Sequence, residues 1–184
     1  MTDERDEALR ATARLFGRLF LFELDEDTRL QLVEPEFAKA LEQVGISVEP
    51  LEGEASLDDL AAQYFEAIVQ PKTGGPPVQS LWTEGSYEGD SAVAVRKLAE
   101  AVGVEFDRGA ARGAPHDHLG CLLLLWAETA GARPDVAERL ESEHLEWAQV
   151  PLSTLARGGK GFYPDLGRAT LAWLAEVLQP RAAG

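Results

Sequence analysis

Pro115-His116-Asp117-His118-Leu119-Gly120-Cys121, running on into Leu122-Leu123-Leu124-Leu125-Trp126-Ala127-Glu128, decides the fold. Residues 119–127 contain no polar side chain and place apolar groups on every face of a helical wheel. A helix that is hydrophobic all round is enclosed by other elements rather than laid on a surface. The residues just before it are the opposite: two imidazoles and a carboxylate crowd what the pattern makes the opening turn. Pro115 suits a helix entry, because its missing N–H costs little there, and Asp117 is placed to cap the free amides just inside. The stretch therefore predicts a buried central helix with a polar, titratable N-terminus, and that end is where a site is expected.

Outward from it, apolar side chains recur three and four apart at Leu9, Ala13, Phe16 and Leu19/Phe20, which predicts a one-striped helix over 7–22. Residues 27–33 and 37–44 continue helically on either side of Pro35, which breaks or kinks the run, and Gly45 ends it. Residues 47–55 read as loop. Ser56, with Asp59 three residues on, predicts a capping box that opens a helix through Leu60, Tyr64 and Ile68. Residues 70–89, with Pro71, Gly74, Gly75, Pro76 and Pro77, read as a flexible loop, and so long a connection inside a compact domain is functional or mobile. Asp90-Ser91 caps the next helix, which turns Val93, Val95, Leu98 and Val102 inward and stops at Gly103. Residues 108–114 are loop before the central helix. Pro134 starts a helix carrying Val136, Leu140, His144 and Trp147, and a short one follows over 150–156. After Gly158-Gly159-Lys160-Gly161, the segment Phe162-Tyr163-Pro164 leads into a last helix with Leu166, Leu171, Leu174 and Leu178 on its apolar face. No segment alternates with period two between turn signals, so no sheet is predicted. The expected architecture is all-α: one helical bundle of eight or nine helices spanning 1–184.

Composition bounds the function. A chain of 184 residues, 45% of them apolar, buries a sizeable core. Its net charge of −15 argues against nucleic acid or an anionic membrane as the main partner and favours basic ones. Lysine is scarce, only Lys39, Lys72, Lys97 and Lys160, and arginine carries most of the positive charge. The single Cys121 excludes an intrachain disulfide, the acidic start is unlike a secretory signal, and no apolar run approaches the roughly 20 residues that cross a bilayer. A cytoplasmic protein is expected.

Several chemistries can be weighed against these residues. His116, Asp117, His118 and Cys121, with distant His144, are metal-ligand types, and residues three apart share a helix face. Adjacent His116 and Asp117 point to different sides, however, and Cys121 has no CxxC partner. An Asp–His pair is also the orienting half of a hydrolase triad, but no Gly-x-Ser-x-Gly supplies the nucleophile. Gly158-Gly159-Lys160-Gly161 lacks the spacing of a phosphate loop and a preceding strand. Trp126, Trp147 and Trp173 lie on helical stripes and are read as core. Trp82 sits in the Pro/Gly loop, where packing does not demand an indole and where it can anchor a peptide.

Taken together, separated stretches resemble the TorD/DmsD family of molybdoenzyme chaperones. Pro115-His116-Asp117-His118-Leu119-Gly120 is similar to that family's signature ahead of a long apolar helix, with His116 where the family often has an acidic residue. Ser80-Leu81-Trp82, Gly89-Asp90-Ser91, His144-Leu145-Glu146-Trp147 and Phe162-Tyr163-Pro164 match further motifs in the family's order. The resemblance implies an all-helical, non-enzymatic chaperone that takes no cofactor of its own. Its partners would be the twin-arginine signal peptide and the apo form of a molybdopterin oxidoreductase, held back from export until cofactor insertion. Carried onto this chain, it makes Ser80, Trp82, Asp90, Asp117 and His118 the peptide-binding residues: Asp117 pairs with an arginine, His118 orients the loop, Trp82 gives apolar contact, and Ser80 and Asp90 fix the loop. A monomer or a helix-swapped homodimer is compatible with this. The alternatives are a small metal-dependent hydrolase using His116, Asp117, His118 and His144, and a helical adaptor without peptide specificity.

Overall fold

The computed structural model describes residues 2–52, 56–107, 109, 111 and 113–179. Helix α1 (Thr2–Leu21) is followed by α2 (Glu26–Val33), α3 (Pro35–Gln43), the single turn α4 (Glu49–Glu52) and α5 (Leu57–Tyr64), which runs on as a π-helical turn over Phe65–Val69. Next come α6 (Gln79–Glu84), α7 (Asp90–Ala101), α8 (Leu119–Thr129) and α9 (Pro134–Leu140). A π-turn over Glu141–Leu145 and a 3-10 turn over Glu146–Ala148 join α9 to α10 (Gln149–Ala156), and α11 (Phe162–Val177) closes the bundle. The all-α architecture is as the sequence pattern predicts. Among the described residues there is no strand, only an isolated antiparallel bridge between Val78 and His118.

Local signals explain most boundaries. Ser56 and Asp59 form the reciprocal capping box at the start of α5, and Pro35 is the first residue of α3 rather than a kink inside a longer helix. The elements outnumber the eight or nine expected because α4 and α6 are short helices in stretches that read as loop. Parts of the expected 47–55 and 108–114 loops lie outside the described residues. In α7 the inward face is Ala92, Val95, Leu98 and Ala99, while Val93 is exposed, one position off the expected stripe.

Helix α8 is the axis of the core, with every side chain from Leu119 to Ala127 except Leu124 buried. Against it lies the stripe Ala13, Phe16, Leu19 and Phe20 of α1. The two helices cross at glycines: a β-carbon on Gly120 would stand 2.7 Å from the Gly17 carbonyl, and one on Gly17 would stand 2.9 Å from the Gly120 carbonyl. Trp126 and Trp173 meet edge to face at 5.0 Å between ring centroids, and Trp173 Nε1 donates to Leu9 O, which ties α11 to both central helices. Trp147 is half-buried and donates to the His144 carbonyl at 2.8 Å. No helix among the described residues is long and apolar enough to cross a membrane.

Candidate functional site

The start of α8 is where three separated segments are tied together. Leu119 N donates to Pro77 O at 2.8 Å and Gln79 N to Asp117 O at 3.1 Å, so 77–79 pairs briefly with 117–119. The Asp117 carboxylate then accepts from the Ser80 amide at 2.7 Å and pins the first turn of α6. Gln79 reaches the third segment. Its Nε2 donates to Glu143 O at 2.9 Å, so its Oε1 is the atom facing His144 Nδ1 at 2.8 Å, and the imidazole proton sits on Nδ1. Three motifs that lie far apart in sequence, around Ser80, Asp117 and His144, thus form one buried polar knot.

The side chains in it have roles the sequence pattern did not assign. His118, not Asp117, is the N-cap of α8: its Nδ1 accepts from Gly120 N at 3.1 Å. Burial pushes its pKa down to about 4, so the imidazole is neutral at pH 7 and able to accept. Burial also lowers the pKa of His144, against the pull of the Glu143 and Asp117 carboxylates. Asp117 has no exposed surface. The expected pairing of its carboxylate with an arginine from outside is therefore closed off while the contact with Ser80 stands. One of its oxygens, the Ser80 hydroxyl and His144 Nε2 are buried without hydrogen-bond partners among the described residues.

Two further expectations change. Trp82 lies on α6, half-buried, with its indole N–H donated to Pro76 O at 2.9 Å, so the loop around it is folded rather than open. Asp90 does not cap α7. Gly89 holds that position, and the Glu84 carboxylate accepts from the amides of Asp90 and Ser91 at 2.7 and 3.0 Å and from the Ser91 hydroxyl. Glu84 is thus the residue that locks α6 to α7. No local signal marks it, because it caps a helix six residues away.

The hydrolase alternative does not assemble. His116 packs edge-on against Phe106 at 5.8 Å, His118 is used as a cap, and His144 is bound to Gln79. Among the described residues no group of three His, Cys, Asp or Glu side chains is placed to hold a metal ion.

Beside the knot opens a cleft of about 380 Å³. Its apolar lining includes Pro77 and Trp82, Ala67 and Ile68, and Leu152 and Leu155. The knot holds the segment that carries Pro77 and Trp82, so it sets the position of this wall. Asp117→Ala, which strands the Ser80 amide, is expected to cost about 2 kcal/mol and to speed amide exchange over 78–82. Asp117→Asn keeps an acceptor for Ser80 and should leave that segment protected; hydrogen exchange followed by mass spectrometry checks both.

A comparison with curated proteins finds no match. The family model for the nitrate reductase delta subunit matches residues 23–150, well over half of the chain, and its span includes Trp82 and all three segments of the polar knot. The chain belongs to the nitrate reductase delta subunit family, whose members are chaperones of molybdoenzyme maturation.

Proposed function

We propose that this protein binds the N-terminal twin-arginine segment of a molybdopterin oxidoreductase subunit in the cytoplasm, and keeps that subunit from export until its cofactor is in place. The observation that carries the reading is the apolar cleft lined by Trp82, whose segment is held by the knot of Ser80, Asp117 and His144. A signal segment combines an apolar stretch with paired arginines. The stretch needs an apolar groove to leave water, and the arginines are met bidentately by carboxylates, which this chain carries in excess to a net −15. In this reading Trp82 touches the peptide, while Asp117 and His118 act through the loop they hold. Asp90, exposed at the start of α7, belongs to the rim at most.

The test is titration of a labelled leader peptide from the client oxidoreductase. A buried aromatic anchor contributes at least about 2 kcal/mol to an interface, so Trp82→Ala should weaken binding roughly 30-fold. The circular dichroism spectrum should stay helical. Unchanged affinity in a folded Trp82→Ala protein removes the cleft from the function. Equal affinity for the peptide and for its Arg-to-Lys version would make the protein an adaptor without twin-arginine specificity.

A further inference from the structure

Residues 71–76 lie along the indole of Trp82 as a strap. Gly74, with φ of +84°, brings its backbone against the six-membered ring: a β-carbon there would stand 2.7 Å from Cη2 and 2.9 Å from Cζ2 of Trp82, closer than a side chain can sit. Gly75 presses on Leu81 in the same way, with its β-carbon position 2.8 Å from Cδ2. Pro76 O then takes the indole N–H at 2.9 Å. Toward the other end, Lys72 Nζ donates to Glu66 Oε2 at 3.4 Å. Glu66 is the one carboxylate among the described residues that line the cleft, and Pro71, Lys72, Thr73 and Gly75 of the strap line it too.

The ends of this strap are fixed and its middle is not. Gln70 N donates to Phe65 O before it, and Pro77 O accepts from Leu119 N after it. Between them, no backbone hydrogen bond involves 71–75 among the described residues, and Lys72 with Glu66 is an ion pair of two exposed side chains. Thr73 and Gly74 are exposed, so the strap is a single chain with one side open to water. Such an ion pair contributes little in water, and a segment with so few contacts opens at small cost. Lifting it bares the part of Trp82 that Gly74 covers, frees the indole N–H and releases Glu66, all at the cleft.

We propose that the strap holds the client's place: Lys72 occupies the carboxylate that an arginine of the client uses, and Gly74 to Pro76 occupy the indole that its apolar run covers. The incoming segment displaces 71–76, pairs an arginine with Glu66, lays apolar side chains on Trp82 and offers a backbone carbonyl to Nε1 in place of Pro76 O. Arginine meets a carboxylate bidentately where lysine acts as a point charge, so the exchange at Glu66 favours the client. The free protein is self-inhibited, and its apparent affinity is the intrinsic affinity scaled by the fraction of molecules with the strap open. This rests on the peptide-binding reading above and adds to it a receiving carboxylate and an internal competitor.

The experiment titrates a synthetic leader, paired arginines followed by a run of leucine and alanine, into the full chain and its variants. Lys72→Gln removes the strap's ion pair at the surface and should tighten binding about threefold. Gly74→Ala sets a methyl group against the indole at a φ that disfavours any side chain, so the strap lifts and binding should tighten about tenfold. In a Glu66→Gln background the gain from Lys72→Gln should vanish, which a mere loss of positive charge near a basic peptide would not produce. A lysine-specific protease leaves the arginines of the leader intact, and it should cut after Lys72 faster when the leader is bound. Unchanged or weaker binding by Lys72→Gln and Gly74→Ala, or protection of Lys72 by the leader, overturns the strap as a placeholder. If Trp82→Ala still weakens binding in that case, the peptide-binding reading stands. No binding by wild type or by either variant overturns both.

Discussion

Between pH 7 and pH 4 the imidazole of His118 alone should cost this protein about 3 kcal/mol of stability. The side chain is buried as the N-cap of α8, where its Nδ1 accepts from Gly120 N, and burial holds its pKa at about 4 against an ordinary 6.5. The native protein resists a proton that the unfolded chain takes up freely. The unfolded state therefore binds more protons throughout the interval, and stability falls as pH is lowered. The contribution is complete above pH 6.5, is lost as the pH drops toward 4, and does not fall further below that. His144, also lowered by burial, acts in the same direction but is common to wild type and variant. His118→Asn is the control, since asparagine is a good N-cap and does not titrate. Urea unfolding at a series of pH values should give a steeper loss for wild type than for His118→Asn between 6.5 and 4, with the curves diverging by about 3 kcal/mol. Parallel curves would mean that the imidazole is protonated in the native state and that the cap is made some other way.

The same imidazole shows what could be read from the sequence. That 119–127 is a buried helix follows from composition alone, because no orientation of that run leaves a polar face for water. The capping box at Ser56 and the break between helices at Pro35 are legible for a similar reason: both depend on residues within four positions of each other. The head of α8 is recognisable as polar, but local rules place the cap on Asp117, the commoner capping residue. Its carboxylate instead serves the Ser80 amide, 37 residues away. Helix α6 leaves no local signal because it is held by Asp117, by Glu143 through Gln79, and by the Glu84 bridge to α7. The cleft wall from α10 and α11 is hidden from the sequence for the same reason, since Leu152 and Tyr163 come to line one cleft with Trp82 only in the folded chain. Periodicity reports which face of an element is buried, but not which element lies against it.

Gly17 and Gly120 carry the largest consequence of that limit. Each sits inside a helical pattern where glycine normally costs stability, so substitution by alanine would be expected from propensity to gain up to about 1 kcal/mol. The crossing of α1 and α8 reverses the sign. A β-carbon on Gly120 would lie 2.7 Å from the Gly17 carbonyl and 2.5 Å from Leu21 Cγ. The leucine can turn away, but the carbonyl belongs to the backbone of α1 and moves only if the helices separate. Overpacking of this kind costs about 3 kcal/mol, leaving Gly120→Ala destabilised by roughly 2 kcal/mol after the propensity gain, or about 4–8 °C in melting temperature for a chain of this size. Gly17→Ala should behave alike, since its β-carbon meets the Gly120 carbonyl at 2.9 Å and the side chain of Leu124 at 2.8 Å. The double variant separates a specific crossing from two independent insults. Once one methyl group has pushed α1 and α8 apart, the second enters space already opened, so the pair should cost clearly less than the sum of the singles. Thermal melts of the four proteins decide it: additive losses, or a stabilised Gly120→Ala, would show that the two helices do not meet at these glycines.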